Sequence, residues 1–166
     1  MPLMAIEIHL ERILVPTDFS DHAEQAIRHA AAIARWSGAE LIVLHVVEKF
    51  MDYSLLYSDI FPFQTPTQDA YRVIEDRIKV RISTALEEFA AEGLRSRALV
   101  TTGSPHVEII RISEREAVDL VVIATHGRSG LTHAILGSTA EKVVRRAPCP
   151  VLVIRKNGRD LLVEED

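Results

Sequence analysis

Gly127, Gly137, Ser138 and Thr139 are the residues whose types and spacing could do chemistry. They lie in Ala124-Thr-His-Gly-Arg-Ser-Gly-Leu-Thr-His-Ala-Ile-Leu-Gly-Ser-Thr139, between two recognisable elements. Before it, Asp119-Leu-Val-Val-Ile-Ala124 reads as a buried strand; after it, Thr139-Ala-Glu-Lys-Val-Val-Arg-Arg-Ala147 reads as an amphipathic helix. Glycine lets the backbone approach a phosphate closely, and the free N–H groups of a helix N-terminus point at it. The chemistry implied is the binding of a nucleotide by its phosphates. Arg128 offers a guanidinium to phosphate oxygens, although a loop arginine is more often simply solvated; His126 offers a ring N–H, with a solvated histidine an equal alternative. Gly130 reads as turn chemistry inside the loop. Ser138-Thr-Ala-Glu141 also fits a capping box with serine at the cap. The length of the loop and its three glycines favour a phosphate contact over a pure cap.

A second group is Pro16-Thr17-Asp18 in Ile13-Leu-Val-Pro-Thr-Asp-Phe-Ser20. A carboxylate is a poor neighbour for phosphate but a good acceptor for ribose hydroxyls or an adenine amine. Asp18 could instead cap the next helix, a role open equally to Ser20 and Asp21. His45, in an apolar run, reads as a satisfied buried histidine, and Cys149 between two prolines as a small core residue. The seven histidines include no His-x-x-x-His pair and no cysteine cluster, so no zinc site is argued. There is no P-loop, no Gly-x-Gly-x-x-Gly after the first strand and no Gly-x-Ser-x-Gly elbow. Phosphoryl transfer needs a metal-holding carboxylate and a group that positions the nucleophile. Asp18 alone can be placed near a ligand, so a binding module is favoured over a catalyst.

Five runs must position these residues: Ile13–Thr17, Leu41–Val47, Arg97–Thr101, Leu120–Ala124 and Val151–Arg155. They are nearly continuously apolar and β-branched, as expected of parallel strands covered on both faces. Helical patterns alternate with them. Ala23, Ala26, Ile27, Ala30, Ile33 and Ala34 form one stripe, with His22, Gln25, Arg28 and His29 opposite. Tyr71, Ile74, Ile78, Ile82, Leu86 and Phe89 form another, closed by Gly93. Ser104-Pro105 opens a third helix as N-cap and first residue. The alternation predicts a doubly wound α/β fold with right-handed crossovers and helices on both faces. Ile6, Ile8 and Leu10 alternate with polar residues and could add a strand or pack at an edge. Residues 48–66 hold Phe50, Tyr53, Tyr57, Phe61 and Phe63, which suggests a segment that folds over the ligand or packs on a partner subunit, or else a locally packed loop.

The chain has 166 residues, with 24 acidic against 19 basic side chains, so there is no basic footprint for nucleic acid. One cysteine excludes an internal disulfide and fits a reducing compartment. No apolar run approaches the ~20 residues of a membrane span, and the start lacks the features of a signal peptide. These readings give one domain over residues 1–156, an acidic tail over 157–166 and a cytoplasmic location.

Gly127, nine residues and then Gly137-Ser138 resemble the glycine motif of the ATP-binding universal stress proteins. In that family the motif runs Gly, two residues, Gly, nine residues, then Gly-Ser or Gly-Thr; Ala124 stands at the first glycine. Ile13-Leu-Val-Pro-Thr-Asp-Phe-Ser20 and Ala147-Pro-Cys-Pro-Val-Leu-Val-Ile-Arg155 resemble the family's opening and closing segments. The resemblance implies a five-stranded parallel sheet of order 3-2-1-4-5, with the Asp18 turn facing the Gly127 loop. It implies adenosine bordered by Pro16, Thr17, Asp18 and Val46. The phosphates would lie along Ala124, His126, Gly127, Arg128, Gly137, Ser138 and Thr139. The expected ligand is ATP, with Mg2+ on its phosphates and AMP or ADP as alternatives, in a protein of the stress response. In that strand order Val151, Leu152, Val153 and Ile154 form an exposed edge, and a homodimer through it is expected. The competing readings are a nucleotide-free dimer that binds another protein, and a slow ATPase.

Overall fold

Strands apolar on both sides cannot leave either face in water, so this sheet is covered twice over. A computed structural model describes residues 7–48, 68–125, 136–155 and Leu162. The elements are β1 (Arg12–Thr17), α1 (Asp21–Ser37), β2 (Glu40–Val47), α2 (Gln68–Ala91), β3 (Ser96–Thr102), α3 (Pro105–Arg115), β4 (Leu120–Ala124), α4 (Ser138–Arg146) and β5 (Val151–Ile154). All pairings are parallel and the sheet order is β3-β2-β1-β4-β5. Of the aromatic segment 48–66, all but Glu48 lies outside the described residues, as do 156–161 and 163–166.

Alternation along each strand divides the core. Ile13, Val15, Leu41, Val43 and Val122 pack with α1 and α2, through Ala26, Ala30, Ala34, Ile74, Ile78 and Ile82. Leu14, Ile42, Leu44, Val121 and Ile123 pack on the other face with Ile109, Ile112, Ala140 and Val143 of α3 and α4. The stripe of α1 is built of alanines, which let its backbone lie close to the sheet. His29, which helical periodicity sets on the polar face, is instead buried. Its Nδ1 donates to the Gln25 carbonyl at 2.8 Å, so the ring leaves water with a local partner.

Chain punctuation follows the residue types. Gly93 (φ 81°) closes α2, with the Gly93 N–H on the Ala90 carbonyl and the Leu94 N–H on the Phe89 carbonyl, both at 3.0 Å. This is a Schellman ending, in which glycine avoids the steric penalty of the left-handed turn. Ser104 is the N-cap of α3 and Pro105 its first residue, but the Ser104 hydroxyl pairs with His106 Nδ1 (3.2 Å) and caps no backbone N–H. Residues 7–10 form no strand, and Ile8 is exposed. β1, which they precede, is an interior strand flanked by β2 and β4, so it offers them no free edge.

A polar lattice fastens the end of the sheet where the strands begin. The Asp119 carboxylate accepts the Glu11 and Arg12 N–H groups at 2.7 and 2.9 Å. Arg97 bridges Glu40 (3.0 Å) and Glu116 (2.8 Å), and Arg115 holds the other Glu116 oxygen at 2.7 Å. The hydrogen bond from Arg97, and then that from Arg115, hold the Glu116 carboxyl below the usual carboxylate range. A carboxyl with a lowered folded pKa adds stability above its unfolded value and loses it as pH falls through the folded one. Glu116→Gln should therefore destabilise the fold at pH 7 by about 1 kcal/mol, given partly exposed partners. Urea unfolding should show this difference closing as the pH falls below about 4, where the unfolded carboxyl is protonated.

Candidate functional site

The opposite end of the sheet, where the strands finish, parts in the middle. β1 pairs with β2 along its whole length, from Arg12↔Glu40 to Thr17↔His45. It pairs with β4 only at Ile13↔Leu120 and Leu14↔Val121. β4 continues beside β5 as far as Ala124↔Ile154. Beyond Leu14, β1 thus keeps company with β2 while β4 keeps company with β5. Here too the strand order reverses, which is where open α/β sheets take their ligands.

The turn that leaves β1 forms one wall, and its own hydrogen bonds shape it. Asp18 Oδ1 accepts the Ser20 N–H at 3.0 Å and the Ser20 hydroxyl at 2.6 Å. Ser20, not Asp18 or Asp21, is the N-cap of α1, and its oxygen accepts the Ala23 N–H at 3.3 Å. The buried Thr17 hydroxyl accepts the Phe19 N–H at 3.1 Å, and its carbonyl accepts His45 Nδ1 at 2.8 Å. Pro16 is half-buried opposite Leu44. Val46, at the end of β2, packs partly on the core beneath α3 and α4.

Across the parting, the end of β4 meets the start of α4. Thr125 is buried; its N–H donates to the Ile154 carbonyl at 2.9 Å, and its carbonyl accepts the Gly137 N–H at 2.6 Å. The chain therefore leaves β4 and returns to α4 through one clasp. Gly137 is the N-cap of α4, in extended conformation (φ −66°, ψ 154°), and Ser138 is the first helical residue. The capping-box alternative for Ser138 is thus displaced by one position: the cap is Gly137, which has no side chain, and Ser138 is exposed. Thr139 is half-buried in the first turn. Ala124 is the last residue of β4, and its methyl packs on the core beneath α1. His126, Gly127 and Arg128 lie outside the described residues.

The structure thus brings Pro16, Thr17 and Asp18 to the end of β1 and Ala124, Gly137, Ser138 and Thr139 to the neighbouring end of β4. Val46 stands one strand further from the parting. His45 is satisfied, as its sequence context suggests, by the Thr17 carbonyl, but it is half-buried rather than buried. Three contributors escaped sequence reasoning: the Ser20 hydroxyl on Asp18, the Phe19 conformation and the Thr125 clasp. Only Ser20 had a signal, as a hydroxyl two residues after an aspartate.

Comparison with known proteins places this geometry in a family. The profile described as "Universal stress protein family" matches residues 9–155. A universal stress protein of Thermus aquaticus is 38% identical over 144 residues, covering 86% of this chain and 97% of that one. The structure of protein MJ0577 of Methanocaldococcus jannaschii, 28% identical, superposes with a TM-score of 0.74 over 91% of this chain and 99% of that one. A universal stress protein in complex with cAMP (22% identity, TM-score 0.58, 89% and 98% coverage) shares the fold. So does one from Archaeoglobus fulgidus in complex with dAMP (21%, 0.57, 89% and 98%). Motif, strand order and sequence agree, and the chain belongs to the universal stress protein family.

Proposed function

We propose that this protein binds an adenine nucleotide, ATP with Mg2+ on its phosphates, in the opening between β1 and β4. The observation that carries this reading is the parting of those strands beyond Leu14 and Val121, with the Asp18 turn on one side and the N-terminus of α4 on the other. The first turn of a helix offers unpaired N–H groups and the positive end of its dipole to an anion. The helix cap is Gly137, so the Ser138 hydroxyl is not committed to capping and can serve the phosphates together with Thr139. Asp18, already oriented by Ser20, serves the ribose or adenine, with Pro16, Thr17 and Val46 beside it. The phosphates continue along Ala124, His126, Gly127 and Arg128. That the same fold holds dAMP and cAMP in two family members supports an adenine nucleotide as the ligand class. The protein acts as a nucleotide-responsive stress protein.

Calorimetry with ATP and Mg2+ tests this directly: saturable binding is expected, and none at millimolar nucleotide overturns it. Gly127→Val should abolish binding while the protein still folds. Ser138→Ala should weaken ATP about fivefold, the worth of one hydrogen bond. Because the serine caps nothing, the same change should shift unfolding free energy by less than about 0.5 kcal/mol.

Among the described residues the sheet ends at β5, whose Val151, Leu152 and Val153 are only partly buried. An edge of this kind invites pairing with a second copy, and a homodimer through β5 is the assembly proposed. Val153→Pro removes a backbone donor from that edge, and light scattering should then report monomers or aggregates in place of dimers. A monomer mass for the unaltered protein at micromolar concentration contradicts the dimer.

A further inference from the structure

Phe19 carries a backbone strain that its neighbours hold in place. Its φ is 63°, in the left-handed region that a bulky side chain rarely adopts. Such outliers persist only where the surroundings over-determine them, and they cluster at functional sites. The surroundings here are specific. The Phe19 ring lies 4.7 Å from the His45 ring, tilted by 31°. On Phe19, too, the Arg81 guanidinium of α2 sits 4.5 Å from the ring centre. His45 is itself tied to the Thr17 carbonyl at 2.8 Å, and the Phe19 N–H is tied to the Thr17 hydroxyl at 3.1 Å. Arg81, Phe19 and His45 thus form one column from the surface of α2 to the end of β1, and Asp18 lies between its two attachments to the turn.

We propose that Phe19 is a positioning residue for Asp18, held in its strained conformation by Arg81 and His45, and that this column sets the affinity of the site for adenosine. The inference rests on the nucleotide reading above and extends it to three residues outside the ligand set proposed there. An aspartate on a loose turn loses conformational freedom when it meets a ribose hydroxyl. One whose turn is already fixed does not, and binding gains by that difference. Ser20 fixes the carboxylate within the turn, and the column fixes the turn against the sheet.

The test uses the full-length protein and ATP with Mg2+ in calorimetry. Phe19→Gly removes the ring while suiting the left-handed backbone, so folding survives and affinity should fall by at least about fivefold. Arg81 is exposed, so Arg81→Met keeps the fold and should weaken ATP by about two- to fivefold, the worth of the lost cation–ring attraction. Phe19→Tyr retains the ring and should restore unaltered affinity. In an Asp18→Asn background, both Phe19→Gly and Arg81→Met should lose most of their effect, because they act through that carboxylate. In the absence of nucleotide, amide exchange at Ser20, whose N–H is held by Asp18, should accelerate in Phe19→Gly. If the unaltered protein binds ATP but Phe19→Gly and Arg81→Met bind it equally well, the positioning role is wrong while the nucleotide reading stands. Losses that add in full to that of Asp18→Asn also refute it. If the unaltered protein binds no ATP, the nucleotide reading falls, and the role of Phe19 with it.

Discussion

Parallel pairing is the constraint on which the molecule depends. A parallel strand cannot be reached by a hairpin, so each connection must cross a face of the sheet and return to the same end. Helices then cover both faces, every strand finishes at the same end, and every helix begins there. Helix N-termini collect at that end as a matter of topology. Where the path first builds β1, β2 and β3 one way and then β4 and β5 the other, two adjacent strands have connections that depart in opposite directions. There the sheet parts, beyond Leu14.

The two ends of the sheet are accordingly built in different ways. The end where strands begin is laced by Asp119, Arg97, Glu40, Glu116 and Arg115, so that β1, β2, β3 and the entry to β4 are tied directly to one another. Among the described residues, two ties at the other end each run within one half. His45 joins β2 to β1, and Thr125 joins β4 to β5 and α4, while β1 and β4 share no further pairs. Rigidity on each side of an opening is what a binding site needs, and the lattice at the far end keeps the halves together.

The sequence made the layers legible because burial on both faces writes an unbroken apolar run, as in Leu120–Ala124, and buried helix faces write a stripe, as in Ala23 to Ala34. Helix ends marked by glycine or proline were also readable, since Gly93 and Pro105 are chosen by backbone geometry alone. Strand order was not written in any local pattern and came from the family resemblance. Local patterns misled where tertiary context decided. The alternation of Ile6, Ile8 and Leu10 met no free edge, and His29 was buried because one carbonyl a turn away satisfied it. The cap of α4 fell on Gly137 although Ser138 has the better side chain. For the site, the residue types near each strand end were readable. The contacts of Phe19 with His45 and Arg81 were not, since they join residues far apart in sequence.

The clasp between the Gly137 N–H and the Thr125 carbonyl, at 2.6 Å, reaches beyond local geometry. It pins both ends of the eleven residues numbered 126–136, so the fold has already met the entropy of closing that loop. Closure entropy grows only logarithmically with length, by about 0.6 kcal/mol for each doubling. The loop can therefore gain or lose residues at little cost to folding, provided Thr125 and Gly137 still meet. This separates two tasks within the chain: the sheet supplies the frame, and the loop can change length without disturbing it.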